Sequence, residues 1–214
     1  MAHNLPAFLS SFVGRREEMA AVAKLLDSAR LVTLVGAAGV GKTRLAIQVA
    51  SAAFELHGEG VSLARLAPVD DPSLVAAAVA AAVGVREQPG HSMLQALISH
   101  LSSRRLLLVL DNCEHVIDAA AALAEALLGA CPELRILATS RQALGVAGEA
   151  AWPVPPLSVP PSHRLRHLLL WSSRLPARVA SASLPRRRRP AAQSPGIGKR
   201  TTAATIAISR VAKP

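Results

Sequence analysis

Residues 31–43 read Leu31-Val-Thr-Leu-Val-Gly-Ala-Ala-Gly-Val-Gly-Lys-Thr43, an apolar run followed by a glycine-rich segment. The apolar run is typical of a buried parallel strand, and a helical pattern begins at Thr43. The segment from Gly36 to Thr43 fits the pattern G-x-x-x-x-G-K-[ST]. One alternative is a strand-to-helix turn that binds nothing. The strand before the segment and the helix after it favour a phosphate-binding loop.

The residue types of this loop suit phosphate chemistry. Glycines let successive backbone N–H groups surround phosphate oxygens, and the positive end of the following helix adds to the attraction. We predict that Lys42 reaches the β- and γ-phosphates and that the Thr43 hydroxyl binds Mg²⁺. The complete set of predicted phosphate-binding residues is Gly36, Gly39, Val40, Gly41, Lys42 and Thr43.

Helical and strand patterns alternate on both sides of the loop, through residue 139. The predicted strands are 31–35, 61–66, 105–110 and 135–139, and the predicted helices are 16–27, 43–56, 72–83, 92–101 and 117–128, the last ending at Gly129. Such alternation is typical of an α/β protein with a mostly parallel sheet. We therefore predict the three-layer sandwich of a P-loop NTPase.

Two acidic residues follow the strand predicted over 105–110. Asp111 stands at its tip, where a carboxylate can bind the metal beside the phosphates, although a strand-end Asp is often only a turn or helix-capping residue. Glu114 can accept a proton from an attacking water, whereas Asn112 can only orient one. Glu114 is equally compatible with a solvated loop or a helix start, and both interpretations stay open.

Arg141 follows the strand predicted over 135–139. An arginine at this strand tip can contact a γ-phosphate and report its presence. The alternative is an ordinary surface arginine in a loop.

The chain changes composition near residue 161. Residues 152–161 contain five prolines and are predicted to be a linker, because proline sustains neither helix nor ladder. Residues 1–161 carry a net charge of −2, whereas residues 162–214 contain 12 basic residues and no acid. We predict a domain over 1–161 and a disordered basic tail over 162–214, whose Arg186–Arg189 run would bind nucleic acid only weakly.

The two cysteines show no metal-binding or redox spacing. Cys113 and Cys131 are therefore expected to be small buried residues in a reducing cytoplasm. The longest uncharged apolar stretch, residues 72–85, is too short to cross a membrane, so a soluble cytoplasmic protein is expected. No spaced set of histidines indicates a metal other than Mg²⁺.

Four further segments, taken in order with the phosphate loop, resemble a known family. They are Phe12-Val-Gly-Arg-Arg-Glu-Glu18, Leu110-Asp-Asn-Cys-Glu-His115, Ala138-Thr-Ser-Arg141 and Trp152-Pro-Val-Pro-Pro-Leu157. Over residues 5–160 the chain resembles the NB-ARC-type signal-transduction ATPases (the STAND class) of bacterial LuxR-type and SARP-type transcriptional regulators. The resemblance implies that Val13 and Arg15 line the adenine side of the pocket. It also implies that Asp111 is the Walker B acid and Arg141 the first sensor. The strand that ends before Arg141 would then lie between the strand before the phosphate loop and the strand before Asp111.

The predicted function is a regulatory switch domain that binds ATP or ADP with Mg²⁺ and hydrolyses ATP slowly. Its expected partners are the nucleotide, further copies of the chain or regulatory domains, no membrane, and DNA only through a DNA-binding module elsewhere. The alternative is a nucleic-acid-binding transcriptional regulator that acts through the basic tail or through a lost module. The helical and winged-helix domains of the family are not recognisable, so residues 162–214 are interpreted as an unrelated or frame-shifted extension of a truncated chain.

Overall fold

The computed structural model describes residues 3–7, 12, 14–57, 60–87 and 90–156. Within these residues five strands form one sheet: β1 (Leu31–Val35), β2 (Gly60–Arg65), β3 (Leu106–Asp111), β4 (Leu134–Ser140) and β5 (Glu149–Pro153). The same ranges contain five α-helices: α1 (Arg16–Ser28), α2 (Lys42–His57), α3 (Val75–Val83), α4 (Met93–Leu101) and α5 (Ile117–Ala130). Short 3₁₀ helices span Pro72–Leu74 and Cys113–His115. The predicted tail and the second half of the predicted linker, residues 157–161, lie outside the described residues.

The strands lie in the order β2-β3-β4-β1-β5, and every neighbouring pair is parallel. Strand β4 therefore lies between β1 and β3, as the resemblance implies. Val35 at the end of β1 pairs with Ser140, and Leu110 near the end of β3 pairs with Ala138. This register brings the carboxyl ends of β1, β3 and β4 to the same edge of the sheet.

Helices cover both faces of the sheet, which confirms the predicted three-layer sandwich. Alternate residues of β3 point to opposite sides: Leu107 and Val109 pack with α1 and α2, whereas Leu108 and Leu110 pack with α3, α4 and α5. A strand that is buried on both faces has no polar side to show, so its sequence is continuously apolar. None of the helices described is both long and apolar enough to traverse a lipid bilayer.

The predicted end of α5 at Gly129 is wrong. The helix continues through Gly129 to Ala130, and the Cys131 N–H still donates to the Leu127 carbonyl at 2.8 Å. Cys131 is extended, with φ −121° and ψ 93°, and residue 132 is a proline. Because a proline forces the preceding residue out of the helical region, the stop signal is Pro132.

Strand β5 was missed, and the predicted linker begins too early. Trp152 and Pro153 are the last two residues of β5, which lies at the edge of the sheet and, among the strands described, pairs only with β1. An edge strand tolerates a proline because one side of its backbone needs no ladder partner. The chain therefore returns to the sheet beside the phosphate loop before the proline-rich segment begins.

Candidate functional site

The glycine-rich loop connects β1 to α2, as predicted. Gly39 and Gly41 have φ angles of 78° and 95°, a left-handed conformation that residues with a Cβ rarely adopt. These two positions therefore explain why the loop needs glycine. The turn leads directly into α2, so the positive end of that helix faces the loop.

Lys42 is folded back over the loop. Its Nζ atom donates to the carbonyl oxygens of Gly36 at 2.8 Å and of Ala37 at 3.0 Å. The residue is only 8% exposed. The loop therefore holds a nearly buried ammonium group in place, where its positive charge is screened little by solvent.

Asp111 is the centre of a hydrogen-bond network that joins β3, β4 and α2. Its Oδ1 atom accepts from the Thr43 hydroxyl at 2.6 Å and from the Thr139 hydroxyl at 2.7 Å. The Thr139 hydroxyl in turn accepts from the Asn112 N–H at 2.9 Å. The carboxylate is thus held beside the hydroxyl with which it was predicted to share a metal.

The oxygen donors of this network suit Mg²⁺. That ion is commonly bound by one or two protein carboxylates or hydroxyls, with phosphate oxygens and waters completing the octahedron. Asp111 and Thr43 provide one carboxylate and one hydroxyl from side chains whose oxygens are 2.6 Å apart. No cluster of three or more His, Cys, Asp or Glu side chains suited to a metal occurs in the described ranges.

Glu114 and Arg141 form an ion pair across a cleft beside the phosphate loop. Arg141 Nε lies 3.4 Å from Glu114 Oε1, and the two side chains are 66% and 16% exposed respectively. The other carboxylate oxygen of Glu114 is buried and makes no hydrogen bond within the described part of the chain. The cleft has a volume of about 350 Å³, and Gly39, Lys42 and Thr43 also line it. Both predicted residues therefore face the loop, and their roles stay predictions.

The two residues that the resemblance places at the adenine side have different outcomes. Val13 lies outside the described residues. Arg15 is described, and its Nη2 atom donates to the Val40 carbonyl at 2.8 Å and to the Pro155 carbonyl at 3.0 Å. Arg15 thus lies against the loop, while its proposed contact with a base stays a prediction.

Sequence reasoning missed Thr139. Its side chain is 1% exposed and bonds directly to Asp111, yet only Arg141 was singled out in this strand. A hydroxyl in an otherwise apolar strand end is the signal that could have found it, because a buried polar group needs a partner.

The two cysteines are free and buried, as predicted. Burial and the nearby Asp111 carboxylate raise the pKa of the Cys113 thiol to about 12. This thiol is therefore a packing residue close to the site, without the reactivity of a thiolate.

A glycine-rich loop after the first strand, facing a carboxylate at the end of a strand two places away, defines a P-loop ATPase fold. Residues 25–146 match the sequence model of the family described as AAA domain. The chain belongs to this AAA domain family.

Curated relatives are considerably longer than this chain. A Mycobacterium tuberculosis protein whose name proposes an HTH-type transcriptional regulator is 56% identical over 135 residues, which are 63% of this chain and 15% of the relative. An uncharacterized protein of the same species is 45% identical over 157 residues, or 73% of this chain and 40% of that relative. The chain therefore matches only a minor part of each.

Solved structures resemble the chain in fold. The Walker-type ATPase of Pyrococcus abyssi has a TM-score of 0.50 at 14% identity, covering 81% of this chain and 60% of that one. A STAND protein with a tetratricopeptide repeat sensor from Pyrococcus horikoshii has a TM-score of 0.47 at 15% identity, covering 74% and 25%. The first similarity agrees with the P-loop ATPase fold.

Proposed function

We propose that residues 1–161 form a regulatory switch domain that binds ATP and ADP with Mg²⁺ and hydrolyses ATP slowly. One observation carries the proposal: the loop that holds Lys42 places the Thr43 hydroxyl 2.6 Å from the Asp111 carboxylate. In this proposal Lys42 binds phosphate beside an oxygen pair that suits Mg²⁺, at one edge of the sheet.

Each part of the cradle has a proposed role. Backbone N–H groups of Gly36, Gly39, Val40 and Gly41 surround the phosphates, and Lys42 turns its ammonium group from loop carbonyls to phosphate oxygens. Thr43 and Asp111 hold Mg²⁺, which would neutralise phosphate charge and align the terminal phosphate. In this proposal Val13 and Arg15 keep the position at the base that the resemblance implies.

The ion pair between Glu114 and Arg141 supports slow turnover. We assign Glu114 to accept a proton from the attacking water and Arg141 to contact the γ-phosphate. In the described conformation each group engages the other at 3.4 Å. Because each group is engaged by the other, hydrolysis would require this pair to separate.

The test is calorimetric titration of the purified chain with ATP and ADP in Mg²⁺. Lys42→Ala is expected to weaken binding at least tenfold, because it removes the ammonium group that would form charge-assisted hydrogen bonds to phosphate oxygens. Lys24→Ala is the matched control, since Lys24 is an exposed lysine of α1. Equal affinity in the Lys42 variant and in the control would contradict the proposed cradle.

We further propose that the domain belongs to the STAND type and serves a cytoplasmic transcriptional regulator of the LuxR or SARP class. The motif order given above supports the subclass, and the name of the relative that is 56% identical supports a role in transcription. In this proposal DNA is bound by a separate module, and residues 162–214 form a tail distinct from the domain.

The competing candidate is direct DNA binding through the basic tail. Replacing Arg186–Arg189 with alanine in the full chain separates the two ideas. The switch proposal expects unchanged nucleotide affinity and at most a weak, salt-sensitive loss of DNA retention. Loss of sequence-specific DNA binding in that variant would favour the competing candidate.

A further inference from the structure

The guanidinium group of Arg15 joins two segments that are far apart in the chain. Its Nη2 atom donates to the carbonyl of Val40, in the phosphate loop, and to the carbonyl of Pro155, two residues after β5. A guanidinium Nη atom carries two hydrogens, so this one nitrogen serves both acceptors. The side chain therefore bridges the loop and the exit segment, residues 154–156, by which the chain leaves the sheet.

The bridge lies close against the loop backbone. A Cβ built on Gly41 would lie 3.9 Å from both Cζ and Nη2 of Arg15, which is ordinary van der Waals contact. The exit segment is also joined to β1, because the Val154 N–H donates to the Val35 carbonyl at 2.7 Å. Movement of the phosphate loop would therefore displace the guanidinium. Because the guanidinium is hydrogen-bonded to the Pro155 carbonyl, the exit segment would move with it.

Two features of Arg15 lower the stability of the folded state. Its backbone is left-handed, at φ 58° and ψ 25°, a region that residues with a Cβ disfavour. The residue is 8% exposed, yet its Nη1 atom is buried and makes no hydrogen bond to any described residue. Strained backbone and unpaired buried donors persist where surrounding contacts enforce them, and they concentrate at functional positions. Stability alone does not explain this arginine.

We infer that Arg15 is a positioning residue that ties the phosphate loop to the exit segment and passes movement of the loop to the chain beyond β5. The transmission step rests on the proposed nucleotide switch, whereas the tie itself does not. The planar, rigid guanidinium suits this role, and the tetrahedral ammonium group of lysine on its flexible stem reproduces it only in part.

The tie is tested in the full chain without nucleotide, by amide hydrogen exchange. Arg15→Ala is expected to speed exchange at Val154 at least fivefold, with a smaller increase for Arg15→Lys, because the carbonyl of the following residue, Pro155, loses its anchor. Arg16→Ala, at the exposed neighbouring position, is the matched control and should leave the rate unchanged. Equal rates at Val154 in all four proteins would overturn the tie.

Transmission is tested through Trp152, which lies in β5 three residues before Pro155. The chain contains two tryptophans, so Trp171→Phe leaves Trp152 as the single reporter. Saturating ADP or ATP with Mg²⁺ is expected to change its emission. In Arg15→Ala, at nucleotide concentrations that calorimetry of this variant shows to be saturating, the change is expected to be absent. A merely structural arginine would not remove a ligand-induced signal from a folded, liganded protein.

The outcomes separate this inference from the proposed function. Calorimetric binding with an emission change that survives in Arg15→Ala, or with no emission change in the unaltered reporter chain, overturns transmission. Absence of binding in the wild-type chain defeats the proposed nucleotide switch and transmission together. In that case the exchange rates at Val154 still decide whether Arg15 ties the two segments.

Discussion

Two buried threonines of the sheet allow a matched test of the Asp111 network. Thr139 is 1% exposed, and its hydroxyl bonds both to the Asp111 carboxylate and to the Asn112 N–H. Thr33 in β1 is fully buried, and its hydroxyl has no hydrogen-bond partner among the residues described. Replacement by valine leaves nearly the same volume at each position, so the two variants differ mainly in the hydrogen bonds that are lost.

The expected effects have opposite signs. Thr139→Val removes a bond to a charged acceptor, worth about 1.5–3 kcal/mol, and leaves the Asn112 N–H without its acceptor, so a loss of about 2–4 kcal/mol is expected. Thr33→Val removes a hydroxyl that was buried without a partner, so stability is expected to stay equal or to rise by about 1 kcal/mol.

Urea unfolding followed by circular dichroism measures both effects. With a slope of about 2 kcal/mol per molar urea, Thr139→Val is expected to lower the unfolding midpoint by about 1–2 M. Thr33→Val is expected to leave the midpoint unchanged or to raise it by about 0.5 M. Equal midpoints for the two variants would refute the assignment of Thr139 as a structural support of the carboxylate.

Four further predictions concern residues of the site and its surroundings. Asp111→Asn is expected to make nucleotide affinity independent of Mg²⁺, and calorimetry with and without a chelator checks it; a persistent Mg²⁺ effect would contradict the metal role. Arg141→Ala is expected to bring the ratio of ATP to ADP affinity towards one, and an unchanged ratio would contradict its contact with the γ-phosphate. Glu114→Gln is expected to abolish turnover in a phosphate-release assay with binding retained, and unchanged turnover would contradict its role as the base. Cys113, with its pKa raised to about 12 by burial, is expected to resist iodoacetamide at pH 8, where about one thiol in 10,000 is ionised, and to react in urea, as mass spectrometry can show.

The central strands and the phosphate loop were predictable because their sequences satisfy strong local constraints. The predicted strand over 31–35 has the same bounds in the structure, since both of its faces are covered and nearly every residue must be apolar. The prediction over 105–110 differs by one residue at each end, because the ladder begins after Arg105 and extends to Asp111. The loop could be found because glycine, lysine and threonine are each required at fixed positions.

The edge strand could not be predicted in the same way. Glu149-Ala-Ala-Trp-Pro153 has an apolar run of only three residues, and its burial is only partial because it pairs on one side. Its position depends on Val154, whose N–H bonds to the end of β1. Such a contact joins residues more than a hundred positions apart, so no local pattern carries it.

Thr139 was missed for a related reason, and it changes how the site is understood. A strand-end threonine gains meaning only when β4 is known to lie next to β3, where its hydroxyl reaches Asp111. Together with Thr43, it fixes the same carboxylate oxygen from two sides before any ligand contributes. A carboxylate held in this way loses little further freedom when it binds a metal, so part of the cost of ordering the site is met during folding. The orientation of Asp111 is therefore a property of the sheet, and nucleotide affinity should respond to substitutions in β4 that contact no nucleotide.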